Sequence, residues 1–395
     1  MSGCDPSVVL ALNSGSSSLK FGLYRAGASH VEILVSGKAD LAGGEKGQFY
    51  ADDSHGTPLV REATFFADQG AAIVRIARLL ADTGQPAPAA VGHRVVHGGP
   101  QLRRHCLIHA AVLRQLEAAT AFAPLHIPPA LTVIRLAQEH FPHLPQAACF
   151  DTAFHAGLPA VARVLPIARE LQREGIERYG FHGLSCESVV RRLEDDPPKR
   201  IIIAHLGNGA SVTAVKDSKS IDTSMGLTPT GGVIMGTRSG DLDPGVLTYL
   251  MREKHFDAAR LEDLVDHRSG LLGISGVGSD MRQLREAAAS NADARLAIQL
   301  FCYSVAKQVA AMIAALRGVD VIVFTGGIGE NDAQARASIC GALAWMGIRI
   351  DDARNRSTAD LISDATSRCV VRVLVSQEDD QIARHTWELM PENPR

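Results

Sequence analysis

The chain has 395 residues, 46% of them hydrophobic and 21% charged, with a formal net charge of −3. Basic and acidic residues are interspersed, which excludes the basic face expected of a protein that binds nucleic acid or an anionic membrane. The length favours two domains. The seven cysteines are odd in number and contain no Cys-x-x-Cys pair. Together with the absence of a signal-peptide pattern or an apolar run of about 18 residues, they predict a cytoplasmic protein with reduced cysteines.

The first predicted element is a strand, hairpin and strand. Apolar residues 8–12 lead into the small polar residues 13–18, and a second apolar segment follows. Such a turn lets backbone N–H groups approach a phosphate without obstruction, although an ordinary β-turn is the alternative for any one such segment. The polar, glycine-rich residues 41–61 predict a hairpin outside the core. Amphipathic patterns predict helices over 71–81 and 111–119.

The second half repeats the opening pattern. Strand 147–150 ends at Asp151, where we place the domain boundary, and residues 195–200 form a connector. Strands 201–204 and 212–215 then flank the glycine hairpin 205–211.

Four more elements complete the chain. A glycine turn at 326–331 is predicted to follow strand 319–325, after a helix over 294–316. A further strand covers 370–375, and a last helix at 380–390 is expected to pack back on an earlier domain. Duplicated α/β domains that face a cleft explain this order.

Four motifs combine glycine turns with charged or histidine side chains. They cover residues 92–99, 150–155, 179–183 and 235–245. With the glycine segments they resemble the acetate kinase family, and the likeness extends to residues 271–276 and 279–282. The resemblance covers essentially the whole chain. It implies two duplicated actin-like (RNase H-like) ATPase domains around a central cleft, an acceptor-side domain at 1–150 and a nucleotide-binding domain at 151–379, with the helix at 380–395 returning to the first.

The implied activity is the reversible, Mg-ATP-dependent phosphorylation of acetate to acetyl phosphate. A carboxylate is already ionised at neutral pH, so the reaction needs charge neutralisation and in-line alignment rather than a general base. Arg94 and Arg238 come from opposite halves, and an arginine fork suits this task. Two surface salt bridges are the structural alternative. The family pattern assigns both arginines, Asp151 and His182 to catalysis.

Oxygen ligands are what Mg²⁺ prefers, and the resemblance implies a site at Asn13 and Glu378, with Mn²⁺ as a substitute. For Asp151 the alternative is a helix cap, and for Glu378 a solvated acidic run. His205 is expected to contact phosphate or to order its hairpin, and His126 to position its neighbours.

The resemblance places ATP on the second half, and the chain contains no P-loop sequence. The residues expected around the nucleotide are Lys20, His205, Leu206, Gly207, Asn208, Gly209, Asp280, Met281, Arg282, Gly326, Gly327, Ile328, Gly329 and Asn331. Lys20 is equally explained as a strand-edge lysine. The acyl pocket implied by the family pattern is formed by Arg94, Val96, Leu125, Phe181 and Pro229.

The chain departs from the family pattern beside these motifs. Ile127 replaces a usual Asn after the Pro-Leu-His motif, Leu184 and Cys186 replace Thr and His after residue 183, and Gln377 replaces Asn. Apolar Ile127 and Leu184 suggest a longer acyl tail. Propionate is therefore the alternative to acetate, and a non-catalytic nucleotide switch of the same superfamily is the alternative from another class. We expect a homodimer that binds neither nucleic acid nor membrane.

Overall fold

The computed structural model describes residues 5–15, 18–41, 47–64, 66, 68–194 and 198–390. It divides into two compact units. The described residues within Met1–Ala156 and Gln377–Arg395 form the first, and those within Gly157–Ser376 form the second. The predicted boundaries at 150 and 379 assigned Asp151 and Glu378 to the second domain. In the structure both belong to the first unit, because Asp151 directly follows a central strand of its sheet and Glu378 begins a helix packed on that sheet.

The strands of the first unit form an eight-stranded sheet, and those of the second form a five-stranded sheet, among the residues described. In chain order they are β1 (Ser7–Ser14), β2 (Ser18–Ala26), β3 (Val31–Asp40), β4 (Gln48–Asp53), β5 (Pro58–Ala63), β6 (Ala90–Val95), β7 (Cys106–Leu107), β8 (Gln146–Phe150), β9 (Arg200–Leu206), β10 (Ala210–Lys216), β11 (Lys219–Thr223), β12 (Val321–Thr325) and β13 (Val370–Val373).

Both sheets contain one repeated arrangement. In the first unit, β3-β2-β1 form an antiparallel meander and β6 and β8 continue the sheet in parallel with β1. In the second unit, β11-β10-β9 form the same meander, and β12 and β13 continue it in parallel with β9. This identical order confirms the duplication predicted from the two hairpins.

The helices cover the sheets and connect their strands. In chain order they are α1 (Gln69–Asp82), α2 (Ala110–Ala118), α3 (Ile127–His140), α4 (Ala160–Arg163), α5 (Arg169–Arg173), α6 (Gly183–Arg191), α7 (Pro244–Glu253), α8 (Ala258–His267), α9 (Gly270–Ser275), α10 (Met281–Ala287), α11 (Ala292–Leu316), α12 (Gly326–Asn331), α13 (Ala333–Ala342), α14 (Asp352–Arg356) and α15 (Glu378–Leu389).

Helix α15 packs on the first sheet against β1, β2, β6 and β8. Gly92 on β6 allows this close approach, since a Cβ there would lie 2.2 Å from Thr386 Oγ1 and 2.6 Å from Ile382 Cγ2. The buried face of α15 includes Ile382, Ala383 and Trp387. The C-terminal helix thereby becomes part of the first unit and brings the acidic residues of its first turn to that sheet.

Helix α11 is the core helix of the second unit, where it contacts β9, β10 and β11. Among the described residues it is the one helix that is long and apolar enough to cross a membrane, although we expected no such segment from the sequence. Half of its most apolar window is buried inside the protein. Its buried residues Phe301, Val305 and Val309 explain this composition by packing.

Two sequence predictions are wrong in detail. Residues 41–61 were expected to lie outside the core, but β4 and β5 extend the first sheet and Phe49 and Ala51 are fully buried. Residues 326–331 form the short helix α12 rather than a turn. Five of the six cysteines that the structure describes are buried, and none of the six forms a disulfide.

Candidate active site

Arg94 and Asp151 meet at the carboxyl ends of neighbouring parallel strands. Arg94 lies on β6 and Asp151 directly follows β8, and side chains at this edge of an open α/β sheet converge. Arg94 Nη2 donates to Asp151 Oδ2 over 2.6 Å and Nε donates to the same oxygen over 3.0 Å. The Asp151 side chain is only 1% exposed. Two donors of the guanidinium are thus committed to a buried carboxylate.

The remaining nitrogen of this guanidinium points to Asn13 near the end of β1. Arg94 Nη1 donates to Asn13 Oδ1 over 3.3 Å, a long bond that leaves Nη1 as the nitrogen best placed to bind a substrate anion. Burial by itself would lower the pKa of Arg94, but Asp151 and Glu378 outweigh it and raise that pKa. The group is therefore permanently cationic.

The amide of Asn13 joins two carboxylates at the start of α15. Asn13 Nδ2 donates to Asp379 Oδ1 over 2.9 Å and to Glu378 Oε2 over 3.2 Å. Glu378 Oε2 also lies 3.9 Å from Arg94 Nε. Burial, and then the charge of Glu378, raise the pKa of Asp379, although the Asn13 bond opposes the shift. The structure thus brings the Asn13 amide, through its nitrogen, together with the carboxylates of Glu378 and Asp379.

His182 and His205 form a stacked pair in the second unit. Their ring centroids are 4.2 Å apart with an interplanar angle of 21°. His182 precedes α6 with a left-handed φ of 58°, a conformation that non-glycine residues adopt at a cost, often in functional sites. Its Nδ1 lies 3.0 Å from the hydroxyl of the buried Ser211. The ring is therefore held in a fixed orientation.

The glycine hairpin after β9 lies beside these side chains. A Cβ placed on Gly209 would be 3.1 Å from His182 Nε2 and 3.5 Å from Arg238 Nη1. Arg238 Nη1 also donates to the carbonyl of Pro229 over 3.2 Å. Glycine is required here because it gives the histidine and the arginine room on one side of the hairpin. Two of the predicted catalytic residues, His182 and Arg238, are brought together within this unit.

A cavity of about 980 Å³ opens beside the hairpin and the N-terminus of α12. Eight of the residues expected around a nucleotide line it, namely Gly207, Asn208, Asp280, Met281, Arg282, Gly327, Ile328 and Asn331. Its volume is at the upper end of the range for small-molecule sites. Arg285 and Asp332 also line it, and they form an ion pair at 3.0 Å.

Other expected nucleotide residues are not among those that line this cavity. Leu206, Gly326 and Gly329 are instead buried in the packing around β9 and α12. A Cβ on Gly326, whose φ is 77°, would lie 2.8 Å from the carbonyl oxygen of Leu206. Lys20 belongs to the first unit, where its charge lowers the pKa of Asp379.

The expected acyl-pocket residues are divided between the units. Val96 is 9% and Leu125 39% exposed in the first unit, while Phe181 and Pro229 belong to the second. Three of the residues that depart from the family pattern, Ile127, Leu184 and Cys186, are fully buried. Ile127 belongs to the core around α2 and α3. The expectation that its side chain tunes the acyl tail is therefore not supported.

Some residues of these sites were missed in the sequence. Asp379 was set aside within an acidic run, and the hydroxyls of Ser185, Ser211 and Ser376 carry no motif of their own. Glu330 was counted only as part of a glycine segment, yet its carboxylate accepts from the N–H groups of Gly326 and Ser376, each over 2.9 Å. The one signal for this role in the sequence is that Glu330 follows Gly326 by four residues within the segment 326–331.

The fold and these groups define the class. A repeated strand order, a buried arginine–carboxylate pair and a nucleotide-sized cavity are those of a kinase with the actin-like ATPase fold that acts on a carboxylate. The model of the acetokinase family matches residues 8–384, and the chain belongs to that family.

Similar proteins cover nearly the whole chain. An acetate kinase of Nitrobacter hamburgensis is 42% identical over 97% of this chain and 96% of its own length, and one of Methylocella silvestris is 40% identical over 97% and 98%. Among solved structures, a propionate kinase from Francisella tularensis has a TM-score of 0.90 at 37% identity and covers 97% of this chain and 100% of its own. The acetate kinase of Porphyromonas gingivalis has a TM-score of 0.84 at 36% identity, with coverage of 97% and 99%.

Proposed function

We propose that this protein transfers the γ-phosphoryl group of ATP to acetate, reversibly, to give acetyl phosphate and ADP. Membership of the acetokinase family is the observation that carries the proposal. An acetate oxygen attacks the γ-phosphorus in line, the bond to the bridging oxygen breaks, and ADP leaves with that electron pair. No proton moves, because the acid is already ionised.

In this mechanism the first unit binds the acceptor. Arg94 is cationic at every working pH and offers Nη1 to the carboxylate of acetate. Asp151 holds the guanidinium through its other two donors, so the arginine needs little reorganisation on binding. Electrostatic preorganisation of this kind lowers the barrier because charge is neutralised by groups already in position.

The second unit binds the nucleotide and stabilises the transferring group. The cavity beside Gly207 and Gly327 accepts ATP, and Arg238 and His182 donate to the phosphoryl oxygens. A cationic arginine of this kind accounts for large rate factors in other phosphoryl transfers. Both side chains face one glycine hairpin, which supports their action on the same group.

A divalent cation also fits the first unit. Glu378 and Asp379 supply the carboxylate oxygens that Mg²⁺ selects, with Mn²⁺ as a substitute, whereas the side-chain oxygen of Asn13 accepts from Arg94 and would have to turn to join them. Burial, and then the charge of Glu378, raise the pKa of Asp379, so a cation bound beside these carboxylates would stabilise its ionised form. When bound, Mg²⁺ neutralises phosphate charge during transfer. The assignment of Asn13 and Glu378 to the metal remains a proposal.

The reaction is tested by trapping acyl phosphate as a hydroxamate. Purified protein is incubated with Mg-ATP, hydroxylamine and one of acetate, propionate or butyrate, and ADP release is measured in parallel. Acetyl hydroxamate that forms in step with ADP supports the proposal. No hydroxamate with any acid would contradict it and favour the nucleotide switch. The Asp151→Asn variant is the matched negative control, because it removes the carboxylate charge that holds Arg94 and leaves the nucleotide cavity of the second unit unchanged.

Propionate is the second candidate. The structure with a TM-score of 0.90 to this chain is described as a propionate kinase, which favours testing that acid beside acetate. One methylene changes binding by only about 1–3 kcal/mol, so a single family accommodates both acids. A higher kcat/KM with propionate would reassign the preferred substrate.

We also propose a cytoplasmic homodimer. Helices α7 and α8 have no buried residue in the structure, and α7 exposes Val246, Tyr249 and Met251. A second copy of the chain that packs on α7 would cover this apolar face. Light scattering coupled to gel filtration measures the mass, and Tyr249→Glu should shift it from dimer to monomer. An unshifted dimer would place the interface elsewhere.

A further inference from the structure

Three side chains of the second unit form a chain of hydrogen bonds that ends on His205. Ser376 Oγ donates to Ser185 Oγ over 2.9 Å, and Ser185 Oγ lies 2.8 Å from His205 Nδ1. Ser185 is fully buried at the start of α6. The sequence analysis assigned neither serine to catalysis or to nucleotide binding, whereas His205 was expected to contact phosphate or to order its hairpin.

The direction of these bonds fixes the proton on the histidine. A serine hydroxyl has one proton to donate. Ser185 Oγ accepts from Ser376 Oγ, and among the described residues its other hydrogen-bond partner is His205 Nδ1. If Nδ1 donated as well, the buried Ser185 hydroxyl would accept twice and leave its own proton unpaired, which costs free energy, so Nδ1 is the acceptor. A neutral imidazole with Nδ1 as acceptor carries its proton on Nε2. This relay, formed by Ser376, Ser185 and His205, therefore selects one tautomer of His205.

The first hydroxyl of the relay is itself held in place. The backbone N–H of Ser376 donates to Glu330 Oε1 over 2.9 Å, and the same oxygen accepts from the N–H of Gly326 over 2.9 Å. Hydrogen bonds to a carboxylate are stronger than those between neutral groups. Glu330 thus ties Ser376 to helix α12, whose residues Gly327 and Ile328 line the nucleotide cavity.

The Nε2 atom of His205 lies beside that cavity. A Cβ placed on Gly207 would be 3.8 Å from His205 Nε2 and 3.9 Å from the backbone nitrogen of Gly327. Both glycines line the cavity. A proton on Nε2 presents a donor to phosphate oxygens, next to the Gly327 N–H, whereas the other tautomer would present a lone pair that repels them.

We propose that Ser185 and Ser376 are positioning residues that hold neutral His205 with its proton on Nε2, so that a phosphate group in the nucleotide cavity meets a donor. The proposal rests on the proposed function for the identity of that phosphate. It assigns to Ser376, two residues before Glu378 in the chain, a part in preparing the nucleotide site.

The tautomer is measured directly by two-bond ¹H–¹⁵N correlation spectra of full-length protein labelled at histidine, with His205→Gln to assign the ring. We expect wild-type His205 to show a protonated Nε2 and an unprotonated Nδ1. Ser376→Ala and Ser185→Ala should each populate the second tautomer and lower kcat about tenfold, the worth of one hydrogen bond to a reacting group. Ser376→Thr keeps the hydroxyl and should restore both readouts.

Ser188→Ala is the matched control. Ser188 lies on the same helix and is buried, but its hydroxyl donates to the backbone carbonyl of Ser185 rather than to the relay. Its spectrum and kcat should resemble the wild type. If Ser185→Ala fails to fold, Ser376→Ala, at a partly exposed site, decides alone.

Two results would overturn the proposal: a wild-type His205 with its proton on Nδ1, or an unchanged tautomer in both serine variants. The spectra need no turnover. A protein that shows the expected tautomers yet makes no acyl phosphate would therefore refute the proposed function and leave the relay in place.

Discussion

Arg94 and Asp151 form a buried ion pair in which Nε and Nη2 of one guanidinium share the same carboxylate oxygen, at 3.0 and 2.6 Å. The arginine side chain is 18% exposed and the carboxylate 1%. The pair is thus open to solvent from the arginine side alone. In the proposed mechanism the acceptor therefore approaches Arg94 from the solvent side, with the carboxylate of Asp151 on the buried side of the guanidinium.

Removal of Arg94 should destabilise the fold as well as the reaction. Arg94→Ala leaves Asp151 buried without its cation, which costs about 3–5 kcal/mol of unfolding free energy. Urea denaturation measures this loss. Because Asp151→Asn removes the stranded charge, the double variant should recover part of the stability while remaining inactive. A double variant less stable than Arg94→Ala would argue against a charge-based cause.

Arg238→Ala should lower kcat by about 10³ or more, because the cation acts on charge that develops during transfer. Steady-state ADP release at saturating substrates measures the effect. Arg268→Ala is the matched control, since Arg268 is 67% exposed and pairs with Asp263 at 3.5 Å. A loss below tenfold in Arg238→Ala would mean that this arginine does not contact the transferring group.

Gly207→Ala should weaken nucleotide binding without unfolding the protein. The added Cβ meets only the Gly209 carbonyl, at 3.3 Å, but it occupies the space between His205 Nε2 and Gly327 N. We expect KM for ATP to rise at least about tenfold, equivalent to about 1.4 kcal/mol, with the melting temperature unchanged. Gly341→Ala, where a Cβ meets nothing within 4 Å, is the control. An unchanged KM would place the phosphates elsewhere.

Ile127→Asn restores the residue usual in the family pattern, yet it should damage stability more than it alters specificity. Ile127 is fully buried in the core around α2 and α3. Loss of the apolar side chain with burial of an amide costs about 2–5 kcal/mol. Thermal unfolding and the ratio of kcat/KM for acetate and propionate are measured together, with Ile127→Val as the mild control. A changed ratio at unchanged stability would restore the acyl-pocket interpretation.

His93 should make the protein less stable in mild acid. Burial lowers the pKa of His93 from 6.5 to about 4, although its bond to Gln146 opposes the shift. Between those values the unfolded chain binds a proton that the native state does not. The contribution of His93 to the free energy of unfolding therefore falls as the pH decreases from 6.5, and this contribution is fully lost below pH 4. The shift corresponds to roughly 3 kcal/mol. His93→Gln should flatten this part of the pH profile, measured by denaturation at each pH. An unchanged slope would contradict it.

The sequence predicted the elements whose signal is local. The antiparallel pairs β1/β2 and β9/β10 and the long helix before Gly318 follow from runs of apolar and small residues, although residues 16 and 17 of the first turn lie outside the described residues. The prediction for residues 41–61 was wrong because the many glycine and charged residues outweighed Phe49 and Ala51 in the composition. These two side chains alternate with polar neighbours, and they become part of the core only when β4 pairs with β3. Strand pairing between distant segments decides such cases.

Site residues that belong to a sequence motif were predictable. Those that packing brings in from distant segments were not. Arg94, Asp151 and His182 stand in recognisable segments, and the structure gives each a charged or hydrogen-bonded partner. The partners Asp379 and Ser211 are distant in sequence from the groups they serve, and no spacing rule connects them. Only the folded chain shows that Asn13 joins Glu378 to Asp379.

The return of helix α15 to the first sheet has a consequence for biosynthesis. The first unit contains the beginning of the chain, yet Glu378 and the helix that covers β1 and β6 are made only after the whole second unit has been translated. Until then one apolar face of the first sheet lacks its cover, and the acceptor site lacks two of its carboxylates. Folding of the nucleotide unit can precede synthesis of these residues, whereas a competent acceptor site must wait for them.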